Sequence, residues 1–253
     1  SSSLDTAGLL TRTVEDLAYA FAALDADSHA LPAPAVALRG LRIGVPQNHF
    51  WDDIDPSIGA VVEATIERLA QAGAQVVRLP LPHCEEAFDI FRRGGLAASE
   101  LAAYLDQHFP HKVERLDPVV RDRVRWAEQV SSVEYLRRKA VLRRCGAGAA
   151  QVFDDVDVLL TPTLAQPPVP VGYFTDGGDS AVNFGRQKGF TPFTAIFNLT
   201  GQPAMSLPLH WNGAGLPIGI QLVGRPYDEL TLISLAAQLE QARPWLGRRP
   251  EIW

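Results

Sequence analysis

The sequence predicts an α/β protein whose mixed β-sheet is flanked by helices, and three observations carry that expectation. Residues 41–82 read as strand, helix and strand, a unit that brings its two strands parallel through a right-handed crossover. Residues 204–223 hold two β-rich runs on either side of Asn212-Gly213-Ala214-Gly215, a turn-forming string that suits an antiparallel hairpin. Between these regions, from about 83 to 153, the pattern is almost wholly helical. Parallel and antiparallel pairing together make the sheet mixed. At 253 residues and 27.6 kDa the chain can bury a substantial core, as one large domain or as part of a larger one. We expect a single partial α/β domain over 1–253, with a lead-in and helix in 1–40, the β-α-β unit in 41–82, a helical segment in 83–153, and sheet, pocket loops and a C-terminal helix in 154–253.

Taken in order, Thr13 is placed to cap a helix over about 14–25. Glu15 and Asp16 lie in its first turn, and Val14, Leu17, Ala18, Phe21 and Leu24 recur at helical spacing. A Pro/Ala linker over 32–38 leads to the strand Leu41-Arg42-Ile43-Gly44-Val45, stopped by Pro46. Asp55-Pro56 reads as the cap and first residue of a helix whose inward face is Ile58, Val61, Val62, Ile66 and Leu69, and Gly73 suits the position just past its end. Ala74-Gln75-Val76-Val77-Arg78-Leu79 is the next strand. Ser131 and Glu134 have the spacing of a capping box. Asp157-Val158-Leu159-Leu160 returns to strand. Residues 161–226 contain 9 Pro and 10 Gly among apolar runs, which predicts ordered irregular loops packed on the sheet. Asp228 is expected to cap a last helix through Leu230, Ile233, Ala237 and Leu239.

Composition narrows the function. A net charge of −6 removes the electrostatic reason for a general nucleic-acid or anionic-membrane binder. Cys84 and Cys145, the only cysteines, supply neither a disulfide framework nor a thiolate zinc site. No apolar run approaches the ~20 residues a bilayer requires, so a reducing, cytoplasmic setting is expected, with no membrane partner. The chain opens Ser1-Ser2-Ser3 and has a single methionine, Met205, so we expect a processed protein or a piece of a longer one.

Nucleophilic hydrolysis needs a nucleophile, a base and donors for the oxyanion. The nearest string to a Gly-x-Ser-x-Gly elbow, Gly178-Asp179-Ser180-Ala181-Val182, lacks the second glycine. Gly146-Ala147-Gly148-Ala149-Ala150 follows a helix instead of a strand, so close helix packing is favoured over a dinucleotide site. His108 and His111 flank Pro110 without a third ligand, so no metal is expected. Lys112 and Lys139 read as solvated, and Lys188 as lying in a Gly-flanked loop. Between 112 and 144 ten basic residues face five acidic ones, which reads as a solvated helical face or as a rim attracting an anion.

Three strings together resemble the amidase-signature hydrolases. Ser3-Leu4-Asp5-Thr6-Ala7-Gly8-Leu9-Leu10-Thr11-Arg12-Thr13-Val14-Glu15-Asp16 is similar to the segment following that family's nucleophile region. Asp157-Val158-Leu159-Leu160-Thr161-Pro162-Thr163 is similar to its Asp-x-Leu-x-x-Pro-Thr strand end. The run from Phe193 through Asn198, Gly201-Gln202-Pro203 and Pro208, continued in Gly215-Leu216-Pro217-Ile218-Gly219-Ile220-Gln221-Leu222-Val223-Gly224, is similar to its C-terminal pattern.

The resemblance implies a hydrolase of carbon–nitrogen amide bonds without a cofactor, working through a Ser–cis-Ser–Lys triad. It also implies that the triad lies upstream of this chain, which is then the C-terminal part of an amidase and inactive alone. Expected partners are a small-molecule linear amide and the missing N-terminal segment as a second chain. By the same resemblance Thr191, Thr194 and Ala195 align with channel positions of fatty-acid amide hydrolase. Thr191 also aligns with the acidic residue that holds the amino acid in the glutamine-dependent tRNA amidotransferase subunit, and a threonine cannot pair with an ammonium. Thr161 and Thr163 are pocket candidates because ligands of α/β folds sit at the carboxyl ends of strands. Arg12 and Asp5 are expected to be structural, as a loop ion pair or a backbone clamp. The rival readings are a non-catalytic interaction or scaffold protein, and a hydrolase using Ser180 or Ser206 with Lys188.

Overall fold

Arg42 and Asp157 set the centre of the sheet. The Asp157 carboxylate accepts the backbone N–H of Arg42 at 2.8 Å and its guanidinium at 2.7 Å, which aligns β1 (Arg42–Pro46) in parallel with β3 (Val158–Pro162). The computed structural model describes residues 1–24 and 37–249. Strand β2 (Gln75–Leu79) pairs in parallel with the other side of β1 after α2 (Pro56–Gln71). Asp55 caps α2 by accepting from Ser57 N at 2.8 Å, Pro56 opens it, and Gly73 follows it at φ 103°, a conformation only glycine adopts freely.

The hairpin pairs β4 (Ala204–Trp211) with β5 (Pro217–Val223), and β5 lies antiparallel to β3. Asn212 builds the turn, its side-chain oxygen accepting from Ala214 N at 3.0 Å and Leu216 N at 2.9 Å. The strand order is β2-β1-β3-β5-β4. Mixed pairing therefore follows from the two local units that the sequence displayed.

Helices cover both faces. On one, α1 (Val14–Leu24), α2 and α9 (Glu229–Ala242) bury Val62, Ile66, Leu160, Ile220, Leu222 and Leu235. On the other, α3 (Cys84–Arg92), α6 (Ser132–Gln151) and α8 (Pro192–Thr200) close over Phe153, Leu159, Phe193, Phe197 and Val223. Each such side chain contributes roughly 1.5–3 kcal/mol on burial. Helices α4 (Ala97–His108), α5 (Pro118–Ala127) and α7 (Ser180–Phe190) lie outside this second layer. No helix among the described residues is long and apolar enough to cross a membrane.

Several expectations shift. Residues 161–226 are not mainly irregular, since α7 and α8 occupy much of them. Lys188 is accordingly on α7 and not in a loop. Asp179 starts α7 by accepting from Ala181 N at 2.6 Å, and tertiary contacts outweigh the ~1 kcal/mol that a glycine costs a helix. Strand β3 begins one residue later than expected and runs through Pro162, because Asp157 is the clamp on Arg42. The Ser131 hydroxyl caps α6 at Glu134 N, but the Glu134 carboxylate turns to Arg137 and Arg138 at 2.9 Å each, so the box is half closed. The Asp228 carboxylate accepts from the Thr231 hydroxyl at 2.8 Å, not from the α9 backbone. Residue 25 and linker positions 32–36 lie outside the described residues.

The lead-in is tied down at both ends. Glu100 accepts from Ser1, Ser3 N and Tyr135, at 2.6, 2.9 and 2.9 Å. Burial opposes its ionisation, yet these bonds prevail and hold it at about 2. Arg12 donates to the Leu246 carbonyl at 3.0 Å and accepts from the Trp245 indole at 2.9 Å, a backbone clamp. Asp5 instead pairs with the Ser1 ammonium.

Candidate functional site

Helix α8 begins at Pro192, whose missing N–H is no loss in a first turn. One face, Phe193, Ile196 and Phe197, is buried. There Phe50 meets Phe193 and Phe197 with ring centres 5.6 and 5.7 Å apart. His49 adds a second anchor from the loop after β1, its Nε2 lying 3.4 Å from the Pro192 carbonyl and its backbone at φ 64°. Burial holds that imidazole below its usual range, so it is neutral in the core. A left-handed non-glycine backbone persists only where its surroundings fix it, and here Phe88 of α3 and Phe193 of α8, with ring centres 4.3 and 5.9 Å from the imidazole, do so.

With that face fixed, Thr191, Thr194, Ala195 and Asn198 fall on the opposite one, three and four residues apart and all at least partly exposed. The structure thus brings Thr191, Thr194 and Ala195 together on one accessible helical surface. The Thr191 hydroxyl donates to the Gln187 carbonyl at 3.1 Å. Thr163 is attached to this surface through its loop, because Ala165 N donates to the Phe190 carbonyl at 3.3 Å.

On the sheet beneath the same layer, a polar stripe crosses three strands. Gln221 donates to the Thr161 hydroxyl at 2.9 Å, and Ser206 lies opposite Gln221 in register. The Ser206 and Thr163 hydroxyls are 2.8 Å apart above Gly219, where an added Cβ would sit 2.6 and 2.8 Å from them. Thr161 is fully buried, so it supports Gln221 from behind and is not itself on the surface. The sequence offered no signal for Gln221 or His49, whose neighbours are distant in the chain.

No nucleophile and base meet here. Ser206 is bonded to Thr163, whereas Lys188 Nζ donates to the Arg92 carbonyl at 2.9 Å. The Ser206–Lys188 pairing is therefore absent, and Ser180 opens the same helix that carries Lys188 more than two turns later. Burial pushes the thiols of Cys84 and Cys145 up, away from thiolate. His108 and His111 are exposed, and no group of three His, Cys, Asp or Glu side chains suited to a metal occurs among the described residues. An open groove of about 540 Å³, lined by Asp53, Asp55 and 166–170, lies beyond β1 and β3 but includes none of the threonines named above.

A mixed sheet covered by helices on both faces, with this hydroxyl-bearing surface on one side, defines an α/β protein. The chain belongs to the Amidase family, the amidase-signature hydrolases, whose pattern matches residues 1–233. It is 69% identical over 242 residues to the 2-amino-5-chloromuconic acid deaminase of Comamonas testosteroni, covering 95% of this chain and 52% of that protein. It is 32% identical to an amidase of Pseudomonas putida, covering 100% of this chain and 56% of that one. The fold is similar to 6-aminohexanoate cyclic dimer hydrolase, with a TM-score of 0.77 at 25% identity over 96% of this chain and 56% of that one. The chain therefore spans about half the length of the relatives it matches.

Proposed function

We propose that this chain is the substrate-facing half of an enzyme that hydrolyses a carbon–nitrogen bond and releases the amino group of an unsaturated amino-dicarboxylic acid. The observation that carries this reading is the 69% identity to a deaminase of 2-amino-5-chloromuconic acid. In such a reaction the carbon–nitrogen bond breaks, the oxygen of water takes the place of nitrogen, and ammonia leaves without an oxidant. The nucleophilic Ser, the bridging cis-Ser and the base Lys of amidase-signature chemistry lie upstream of Ser1 and outside this chain. That assignment is supported by the local bonding of Ser206 and Lys188, each satisfied by groups that cannot activate a nucleophile. Thr191, Thr194, Ala195 and Thr163 line the substrate, with Thr161 as support. The upstream half is the partner that completes the enzyme, and two free buried cysteines suit the reducing cytoplasm.

A second reading, hydrolysis of linear amides, is favoured by the match to the Pseudomonas putida amidase, which extends over the whole of this chain and 56% of that protein. Ammonia release from 2-aminomuconate and from hexanamide separates the two. The chain should be assayed alone and co-expressed with the upstream half of the Comamonas testosteroni relative. The expected result is ammonia only from the combined halves, and faster from 2-aminomuconate. Turnover by the chain alone would overturn the upstream triad, and silence of the combined halves on both substrates would favour a scaffold role.

A further inference from the structure

Four arginines of the basic stretch over 112–144 hold close ion pairs. Arg125 pairs with Glu114 at 2.6 Å, Arg137 and Arg138 with Glu134 at 2.9 Å each, and Arg144 with Glu86 at 2.5 Å. Arg123 is different. Its guanidinium carbon stands 4.2 Å from the centre of the Phe184 ring, and Lys188 Nζ stands 4.1 Å from the same centre. Among the described residues neither cation forms an ion pair, and Arg123 Nε is buried without an acceptor. Lys188 also donates to the carbonyl of Arg92, the residue that supplies a third cation nearby, itself paired at 3.3 Å with Asp89.

Three elements, the end of α3, α5 and α7, thus converge two uncompensated cations on one aromatic ring. The aromatic ring attracts each of them, but no carboxylate among the described residues pairs with either to cancel their mutual repulsion. Burial, followed by Arg123 and Arg92, holds the Lys188 ammonium below its usual range, as this arrangement requires. The cluster also flanks the candidate surface, since Lys188 precedes Thr191 by less than one helical turn and Gln187 accepts the Thr191 hydroxyl.

We propose that Arg123 and Lys188, with Arg92 behind them, form the subsite for a carboxylate of the substrate, so that the enzyme selects acidic molecules whose carboxylate lies away from the bond that is cut. A carboxylate has two oxygens, one for the ammonium and one for the guanidinium, and its charge removes the repulsion. This inference rests on the reading that the Thr191–Ala195 surface faces an unsaturated dicarboxylic acid.

Acetylation of Lys188 in the purified protein, read by peptide mass, tests it. The probe is muconate, a dicarboxylate with no amino group to lose, with dimethyl muconate and inorganic phosphate as controls at equal ionic strength. At a muconate concentration ten times its Kd, mass action gives roughly tenfold slower modification of Lys188, while Lys112 and Lys139 should react unchanged. Arg123→Gln should abolish the protection and Arg123→Lys should restore part of it. Since the wild-type comparison needs no variant, misfolding of either variant leaves the test intact. Unprotected Lys188, or equal protection by phosphate or the dimethyl ester, overturns the subsite. Ammonia release from 2-aminomuconate without protection would sink the subsite alone, and protection without ammonia release would sink only the proposed reaction.

Discussion

Gly219 is the residue at which the candidate surface is most sensitive to one added atom. A Cβ there would press on both hydroxyls of the Ser206–Thr163 pair. Both can rotate away, so Gly219→Ala is expected to cost about 1 kcal/mol, the low end for overpacking, read as a lower urea midpoint at constant slope. Adding Ser206→Ala removes one clash, so the double variant should lose less than the sum, and strict additivity would sink the assignment. His210 makes a sharper case in pH. Its Nε2 is 2.8 Å from the Thr65 hydroxyl, which already donates to the Val61 carbonyl, so the ring must be the donor. Burial first, then Arg243 and Arg68, lower its pKa from 6.5 to about 4. The unfolded chain therefore binds the extra proton below pH 6.5, and stability falls from there down to about 4. Between pH 7.5 and 5 this amounts to about 2 kcal/mol at 1.36 kcal/mol per pKa unit. Denaturation at both pH values should show a steeper loss in the native protein than in His210→Gln, and equal losses would refute the account. None of this was legible in the sequence, because Thr65 and His210 meet 145 positions apart.

At the scale of elements, the small residues of α6 make a prediction with two opposite signs. A Cβ on Gly146 would lie 2.9 Å from the backbone oxygen of Thr200 on α8, whereas one on Gly148 would press on the His83 ring at 2.8 Å and make an ordinary contact with the Pro82 Cβ at 3.6 Å. Backbone cannot step aside and the half-buried His83 imidazole can turn about its side-chain bonds. Both substitutions to Ala gain roughly 1 kcal/mol of helix propensity. Gly148→Ala should therefore be neutral or stabilising, while Gly146→Ala should lower the thermal midpoint by pushing α8 off the sheet. Equal shifts would show that α6 and α8 are not in contact at Gly146. The close-packing role of this string was readable from its small residues, although 146–150 lie within α6 and do not follow a helix, and β4, β5 and α2 were readable too, each marked by its own turn or cap. Helix α7 was not readable, because Gly185 and Gly189 argue against a helix and the contacts of Phe184 and Lys188 that sustain it come from elsewhere in the fold. The same holds for the carboxylate subsite, whose Arg123 looked like one more solvated cation until its ring partner was in place.

For the molecule as a whole, the sheet is a shared wall between two apolar layers. Neighbouring residues of one strand serve opposite sides, Leu159 packing with Phe197 and Leu160 with Ile66. The strands β3 and β5 were legible as β-rich runs, and the resemblance of three strings placed the threonines of α8 on a common segment. Not legible was which of the threonines at the end of β3 reaches the surface, since Thr161 is sealed by Gln221 from a strand 60 residues later. The shared wall has a consequence for stability. If both layers depend on one sheet, neither can melt alone, and the chain unfolds as one unit. Ile66→Ala on the first layer should cost about 2–5 kcal/mol and Phe197→Ala on the second about 3–5 kcal/mol. Each should move a single transition in which tryptophan fluorescence and far-ultraviolet circular dichroism coincide. Trp51 packs against both layers, so fluorescence reports on either. Two separated transitions, with Ile66→Ala moving one and Phe197→Ala the other, would mean that the layers are independent and that residues 1–253 are not a single domain.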